Sequence, residues 1–207
     1  MKQEKLRRNR WQFLFCLGAF LLLLQSPSRA DSVRLGGEIV EVAKGFLHVR
    51  EVGKNRGQYV DYFNRTVGVP LGSAWCMAFA YTAWKIAYNE QGLQSPLHRT
   101  GSVARQLKFA LQVGSGLRVI RVRNVGAVAQ LHAGDLLLAK SGSSSEKDIG
   151  RIWLGHVGIY TGLQSGERLQ TIEGNTSGNS RGSQREGNGV FLKYRQKKFW
   201  LAGVQDA

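Results

Sequence analysis

Cysteine and proline are both scarce in this chain, with 2 and 3 residues among 207. Three prolines against 26 glycines indicate a loop-rich globule rather than a disordered chain. Heptads, internal repeats and long linkers are absent from the sequence, so we expect one domain. His-Glu-x-x-His and Cys-x-x-Cys patterns are absent too. The sequence therefore predicts no metal and no cofactor.

The first 30 residues have the pattern of a secretory signal peptide. A basic head precedes an apolar run from Trp11 to Leu24, and Ser28-Arg29-Ala30 places small residues two apart. The run is shorter than the roughly 20 residues that a membrane-spanning helix needs. We predict cleavage after Ala30, a single domain over residues 33–207, and a secreted or periplasmic location. An uncleaved membrane anchor within residues 1–30 is the alternative.

Acidic residues are few. The whole chain carries a net charge of +15, and removal of the leader leaves 23 basic and 13 acidic residues, a charge of +10. Such a surplus attracts polyanions: nucleic acid, anionic lipid or an anionic cell wall. Export disfavours nucleic acid, and no stripe of interleaved aromatic and basic residues suits base stacking. We expect a monomer whose partner is anionic, with anionic lipid and an anionic cell wall as the remaining candidates.

Hydrophobic periodicity changes along the chain from helical to extended. It predicts helices over residues 36–52, 58–66, 73–92 and 102–113, with Ser73 as the N-cap of the third. It predicts strands over 117–125, 136–139, 155–161, 169–173, 190–194 and 199–204, with polar loops over 141–150 and 174–189. Helices followed by an antiparallel meander are typical of an α+β domain.

Removal of the leader leaves Cys76 as the single thiol of the mature chain. An unpaired cysteine in an exported protein suggests a reactive thiol, and a small buried hydrophobe is the alternative. Cys76 falls in the first turn of the third predicted helix, where the dipole and the unpaired amides favour the thiolate. As a nucleophile it requires a base that a third group orients.

Four histidines are available as that base. His156 has the most distinctive context, because it interrupts the apolar strand Leu154 to Tyr160 and has glycines nearby that leave room for a substrate. A hydrogen-bonded core histidine is the alternative. His132 precedes a Gly-Asp turn and is a weaker candidate for the base. We interpret His48 and His98 as structural or surface residues.

Two polar residues at a predicted strand end could orient the base. Glu173 and Asn175 are two residues apart, so a regular strand would place both on one face, towards His156. One of them could hold the imidazole tautomer while the other polarises or positions the ring. The alternative is a strand end that enters a turn, where Asn and Gly are common.

Four short motifs occur in one order along the chain: Trp75-Cys76, Gly134-Asp135, Gly155 to Ile159, and Glu173 with Asn175. This series resembles the CHAP family of cysteine amidohydrolases and peptidases, relatives of the NlpC-type and papain-like enzymes. The resemblance extends over residues 38–204. His132 departs from it, because proline is frequent in that turn of the family.

The resemblance implies a papain-like fold and hydrolysis of an amide bond in peptidoglycan through an acyl-enzyme. It implies Cys76 as nucleophile, His156 as base, Glu173 and Asn175 as supporting residues, and Trp75 and Gly155 beside the substrate. Arg181 and Arg185 are candidate contacts for muropeptide carboxylates. A thiol acyl-transfer enzyme that acts on a non-wall amide and a non-catalytic wall-binding module are the alternative functions.

Overall fold

The computed structural model describes residues 29–140, 154–178 and 187–207. Residues Val33–Ala207 form one compact unit. Helices occupy the first part of this unit and strands the second, so the predicted α+β class is confirmed. Within the described ranges, none of the helices has the length and apolar character needed to cross a membrane.

Within the described part of the chain, four α-helices precede the sheet. They are α1 (Arg29–Gly45), α2 (Gln58–Val67), α3 (Cys76–Glu90) and α4 (Val103–Ala110). Gly68 ends α2 in the left-handed conformation, with φ 74°, which glycine adopts without steric cost. Ser102 caps α4, because its side chain accepts a hydrogen bond from the Arg105 amide.

The first helix ends earlier than its periodicity predicts. The apolar pattern continues to residue 52, but α1 stops at Gly45 and residues 46–48 form a turn. Val49 then accepts a hydrogen bond of 3.1 Å from the amide of Val190, which lies in the sheet. The prediction for residues 46–52 is therefore wrong, because pairing with a distant strand outweighs the local helical pattern.

Six antiparallel strands form one sheet in the order β1-β6-β2-β3-β4-β5. They are β1 (Leu117–Arg121), β2 (Leu136–Lys140), β3 (Leu154–Ser165), β4 (Arg168–Thr176), β5 (Gly189–Gln196) and β6 (Trp200–Asp206). Strands β2 to β5 form the predicted meander. β6 does not extend it, because it pairs between β1 and β2 instead.

The position of β6 requires a curled sheet. In a flat sheet, four strand spacings of about 4.8 Å would put β5 about 19 Å from β6. Only the short turn Lys197–Phe199 connects the two strands, and four Cα–Cα steps span at most about 15 Å. The sheet therefore curves and has a convex and a concave face.

Apolar residues bury both faces of the sheet. Leu136 and Leu138 of β2 pack into the cluster that includes the helices, while Leu137 and Ala139 pack into a second cluster with Trp200. A strand that is buried on both faces has a continuous apolar sequence, as β2 has. The helices cover one face, and the candidate site lies where the start of α3 meets β3 and β4.

Candidate active site

Cys76 is the first residue of α3, three residues later than the predicted start of that helix. Trp75 is the N-cap residue and makes no side-chain capping hydrogen bond, so the prediction of Ser73 as N-cap is wrong. Ser73 belongs to the preceding turn, where its amide bonds the Pro70 carbonyl at 3.2 Å. The free Cys76 thiol, 6% exposed, therefore lies directly at a helix N-terminus.

A glycine lets α3 approach the sheet closely. A Cβ atom at Gly174 of β4 would lie 2.8 Å from three atoms of Phe79, one turn after Cys76. Such contacts are too short for any other residue, so the α3–β4 distance depends on glycine at this position. This contact holds the start of α3 against the strands that carry the other site residues.

His156 lies on β3, where it pairs with Ala139 of β2. Its ring is 1% exposed, and Nε2 lies 2.9 Å from Oε2 of Glu173, which is fully buried. Nδ1 is buried and has no regular hydrogen bond among the described residues. Since Glu173 occupies Nε2, Nδ1 is the nitrogen that is available to the Cys76 thiol.

Electrostatic interactions link the three side chains. Burial alone would lower the pKa of His156, but the Cys76 thiol and the Glu173 carboxylate outweigh it and raise that pKa to about 9. Burial alone would raise the pKa of Glu173, but His156 and Arg195 outweigh it and lower that pKa to about 2. At neutral pH the imidazole is therefore protonated and the carboxylate is ionised.

The Gly158 position of the Gly-His-Val-Gly-Ile motif makes room for Glu173. A Cβ atom there would lie 3.0 Å from Cγ of Glu173, 3.0 Å from Cβ of Thr171 and 3.2 Å from the Trp200 ring. Gly158 and His156 are two residues apart on β3 and so share a face. This glycine therefore accommodates the carboxylate that holds the imidazole.

Asn175 does not share the geometry of Glu173. The β4–β5 pairing shifts register between Glu173 and Thr176, and Asn175 has a left-handed φ of 53°. Such a bulge breaks the two-residue alternation, so the argument that Asn175 faces His156 by regular alternation is wrong. Its buried Oδ1 has no hydrogen-bond partner within the described ranges.

The indole of Trp75 lies beneath the site and is not open to solvent. The side chain is 0% exposed, Nε1 donates a hydrogen bond of 2.6 Å to Glu51, and the ring stacks on Phe63. The indole therefore has no surface open to a substrate, and a substrate contact of Trp75 stays a prediction. Gly155 is exposed and immediately precedes His156, so it remains a candidate substrate contact.

The other histidines have different partners. His132 lies four residues before β2, near the end of that strand opposite the one that pairs with His156. Its Nδ1 lies 3.3 Å from Nε2 of Gln205. The ring of His48 contacts Tyr59 edge-on, and the ring of His98 stacks on Phe109. Of the four histidines, His156 is the one that the structure brings to Cys76.

Sequence reasoning missed Arg195 of β5. Its Nη2 lies 2.7 Å from Oε2 of Glu173, and its Nε lies 3.0 Å from Oε1. In the sequence, Arg195 is one cation in a basic segment, with no local signal that separates it from its neighbours. The predicted loop residues Arg181 and Arg185 lie outside the described residues, as does the loop over residues 141–150.

Across the described ranges, no group of three or more His, Cys, Asp and Glu side chains is placed to hold a metal ion. No protein-family model and no curated protein matches this chain. A thiol at a helix start, a buried imidazolium and an ionised carboxylate together form an arrangement suited to nucleophilic attack on a carbonyl group.

Proposed function

We propose that this protein is an exported cysteine hydrolase that cleaves an amide bond of peptidoglycan. The observation that carries the proposal is the contact series from Cys76 at a helix start to His156 and on to Glu173. The curled antiparallel sheet behind a helix that begins with the nucleophile is consistent with a papain-like fold of the CHAP type. We infer membership of that family from this agreement between motifs and geometry.

The chemistry follows the order of the side chains. The Cys76 thiolate attacks the carbonyl carbon of the amide, and the carbonyl electrons move to oxygen. The tetrahedral intermediate collapses as the C–N bond breaks, and His156 gives its proton to the leaving amine. His156 then accepts a proton from water, whose oxygen attacks the thioester and releases the acid and the thiolate.

Each supporting element has a definite part in these steps. Glu173 accepts a hydrogen bond from Nε2 of His156, which orients the ring and leaves Nδ1 for the thiol. The N-cap residue of α3, Trp75, makes no side-chain hydrogen bond to the backbone amides of the first turn. These amides are the donors that we assign to the developing oxyanion.

The proposed substrate is the one that the family resemblance implies, and the charge and the predicted export agree with it. The predicted mature chain carries +10, which favours association with an anionic wall over a neutral polymer. Peptidoglycan amides occur at the sugar–peptide junction and within the peptide. Either an N-acetylmuramoyl-L-alanine amidase or a peptide endopeptidase is compatible with the site.

Mass spectrometry of fragments from purified peptidoglycan tests the proposal. The wild-type chain should release either free stem peptides or cut peptides, and Cys76→Ala should release none while its circular dichroism spectrum is unchanged. Arg56→Gln, at an exposed pair with Asp61 outside the site, serves as the control that keeps activity. Intact peptidoglycan after wild-type treatment, with a small amide substrate cleaved, would favour the non-wall acyl-transfer alternative. Activity retained by Cys76→Ala would reject the cysteine mechanism.

A further inference from the structure

The Glu173 carboxylate is held from two sides. His156 approaches Oε2 from β3 at 2.9 Å, and Arg195 approaches from β5 with contacts of 2.7 Å to Oε2 and 3.0 Å to Oε1. Thr171 is a third donor residue, and its hydroxyl donates a hydrogen bond of 2.7 Å to Oε1. A carboxylate with donors on both oxygens has a fixed plane as well as a fixed position.

The Arg195 guanidinium is itself held in place. Nη2 lies 3.2 Å from Oγ1 of Thr176, and the guanidinium carbon lies 5.1 Å from the centre of the Phe199 ring. The side chain is 15% exposed. These contacts leave Arg195 with its fork directed at Glu173, which is the geometry in which arginine differs most from lysine.

We propose that Arg195 is a positioning residue of the site, which keeps Glu173 ionised and fixes its carboxylate plane against Nε2 of His156. A fully buried carboxylate tends to take up a proton, and a protonated Glu173 could no longer stabilise the imidazolium. Arg195 therefore acts on the reaction through Glu173 without touching the substrate. The effect of Arg195 on hydrolysis rests on the proposed function, whereas its effect on Glu173 does not.

The charged groups around Glu173 come from three further elements. His156 belongs to β3, Arg195 and Lys193 belong to β5, and Cys76 of α3 acts through His156. Burial, and then repulsion from Arg195, lowers the pKa of Lys193, whereas Glu173 raises it. Arg195 is the cation of β5 that bonds the carboxylate directly.

The first test measures Glu173 without any substrate. A ¹³C-carboxyl titration of the full chain should show Glu173 ionised throughout the range in which the protein is folded. In Arg195→Gln the carboxyl should titrate within the folded range, at least about 1 pH unit above the wild-type pKa of about 2, since a charge-assisted hydrogen bond contributes that much or more. Arg195→Lys keeps the charge, so its Glu173 midpoint should lie between those of wild type and Arg195→Gln. Arg56→Gln, which breaks a similar Arg–carboxylate pair on the surface, should leave Glu173 unchanged.

The second test measures hydrolysis. Arg195→Gln should lose about 10- to 100-fold in kcat, within the range that general acid–base catalysis contributes, with little change in KM. The loss should be largest at the acid end of the range in which the protein is folded. The loss should shrink as pH rises, and Arg195→Lys should recover part of it. An unchanged Glu173 midpoint, or an equal loss at all pH values that lysine does not relieve, would overturn the proposal. If wild type cuts no peptidoglycan, the titration still decides the role of Arg195.

Should Arg195→Gln fail to fold, Arg195→Lys alone remains decisive. In Arg195→Lys the guanidinium fork of arginine is lost while the charge is kept, so kcat should fall and the Glu173 midpoint should move only slightly. A fully active Arg195→Lys with wild-type pH dependence would show that the fork does not position Glu173.

Discussion

Replacement of Glu173 by glutamine tests the charge of the site while it preserves the shape of the side chain. Glutamine can still accept a hydrogen bond from Nε2 of His156, at the position where the carboxylate now lies 2.9 Å away. It cannot stabilise the imidazolium through charge. The variant therefore separates orientation of the ring from stabilisation of its protonated form.

The expected magnitude follows from the contacts. A hydrogen bond to a charged group contributes about 1.5–3 kcal/mol, and one pKa unit corresponds to about 1.4 kcal/mol. The pKa of His156, raised to about 9 by Cys76 and Glu173 against the effect of burial, should therefore fall by roughly 1–2 units in Glu173→Gln. A raised histidine pKa means that the protonated form is lost as pH rises, so the variant should lose activity at lower pH than wild type.

The assay is the pH dependence of kcat/KM, which reports the groups of the free enzyme. Wild type should decline on the alkaline side near pH 9, and Glu173→Gln near pH 7–8. Asp61→Asn is the matched control, because Asp61 also pairs with an arginine but lies on α2. A lower plateau with an unmoved alkaline limb would refute the electrostatic role of Glu173.

Three further outcomes are expected. His156→Ala should lose at least about 100-fold in rate, the lower end of general acid–base catalysis, whereas His132→Ala should keep its activity; the reverse would move the base to His132. Burial raises the pKa of Asp135 to about 7, above the unfolded value of about 3.9. Ionisation of Asp135 therefore lowers the free energy of unfolding progressively from about pH 4 to 7. Asp135→Asn should raise the denaturation midpoint at pH 8 more than at pH 4. Binding to intact walls should weaken as salt rises past about 0.15 M, while turnover of a small peptide stays nearly constant; two flat curves would refute electrostatic targeting.

The sequence predicted the site residues that carry chemistry in a distinctive local context. Cys76 and His156 were identifiable because each is a polar or reactive side chain within an apolar element. Glu173 was identifiable because it ends a strand that follows the His156 strand. These signals are local, and the structure places all three side chains together.

The contacts that the sequence did not predict arise between distant elements. Arg195 pairs with Leu169 in the strand register, yet its long side chain reaches Glu173 farther along β4. The bulge at Asn175 depends on the β4–β5 pairing, and no turn residue pattern specifies its register. Periodicity describes single elements and cannot supply such cross-strand geometry.

The burial of these charges itself favours a functional interpretation over a structural one. Buried ion pairs are often no more stabilising than apolar residues of similar volume, so stability alone does not explain His156 and Glu173 in the core. Nδ1 of His156 is buried without a regular hydrogen bond among the described residues, although Cys76 is close enough to raise the pKa of the ring. A catalytic pair with Cys76 gives that nitrogen a proton to exchange. The cost of burial is then consistent with a site that excludes water from the reacting thiol.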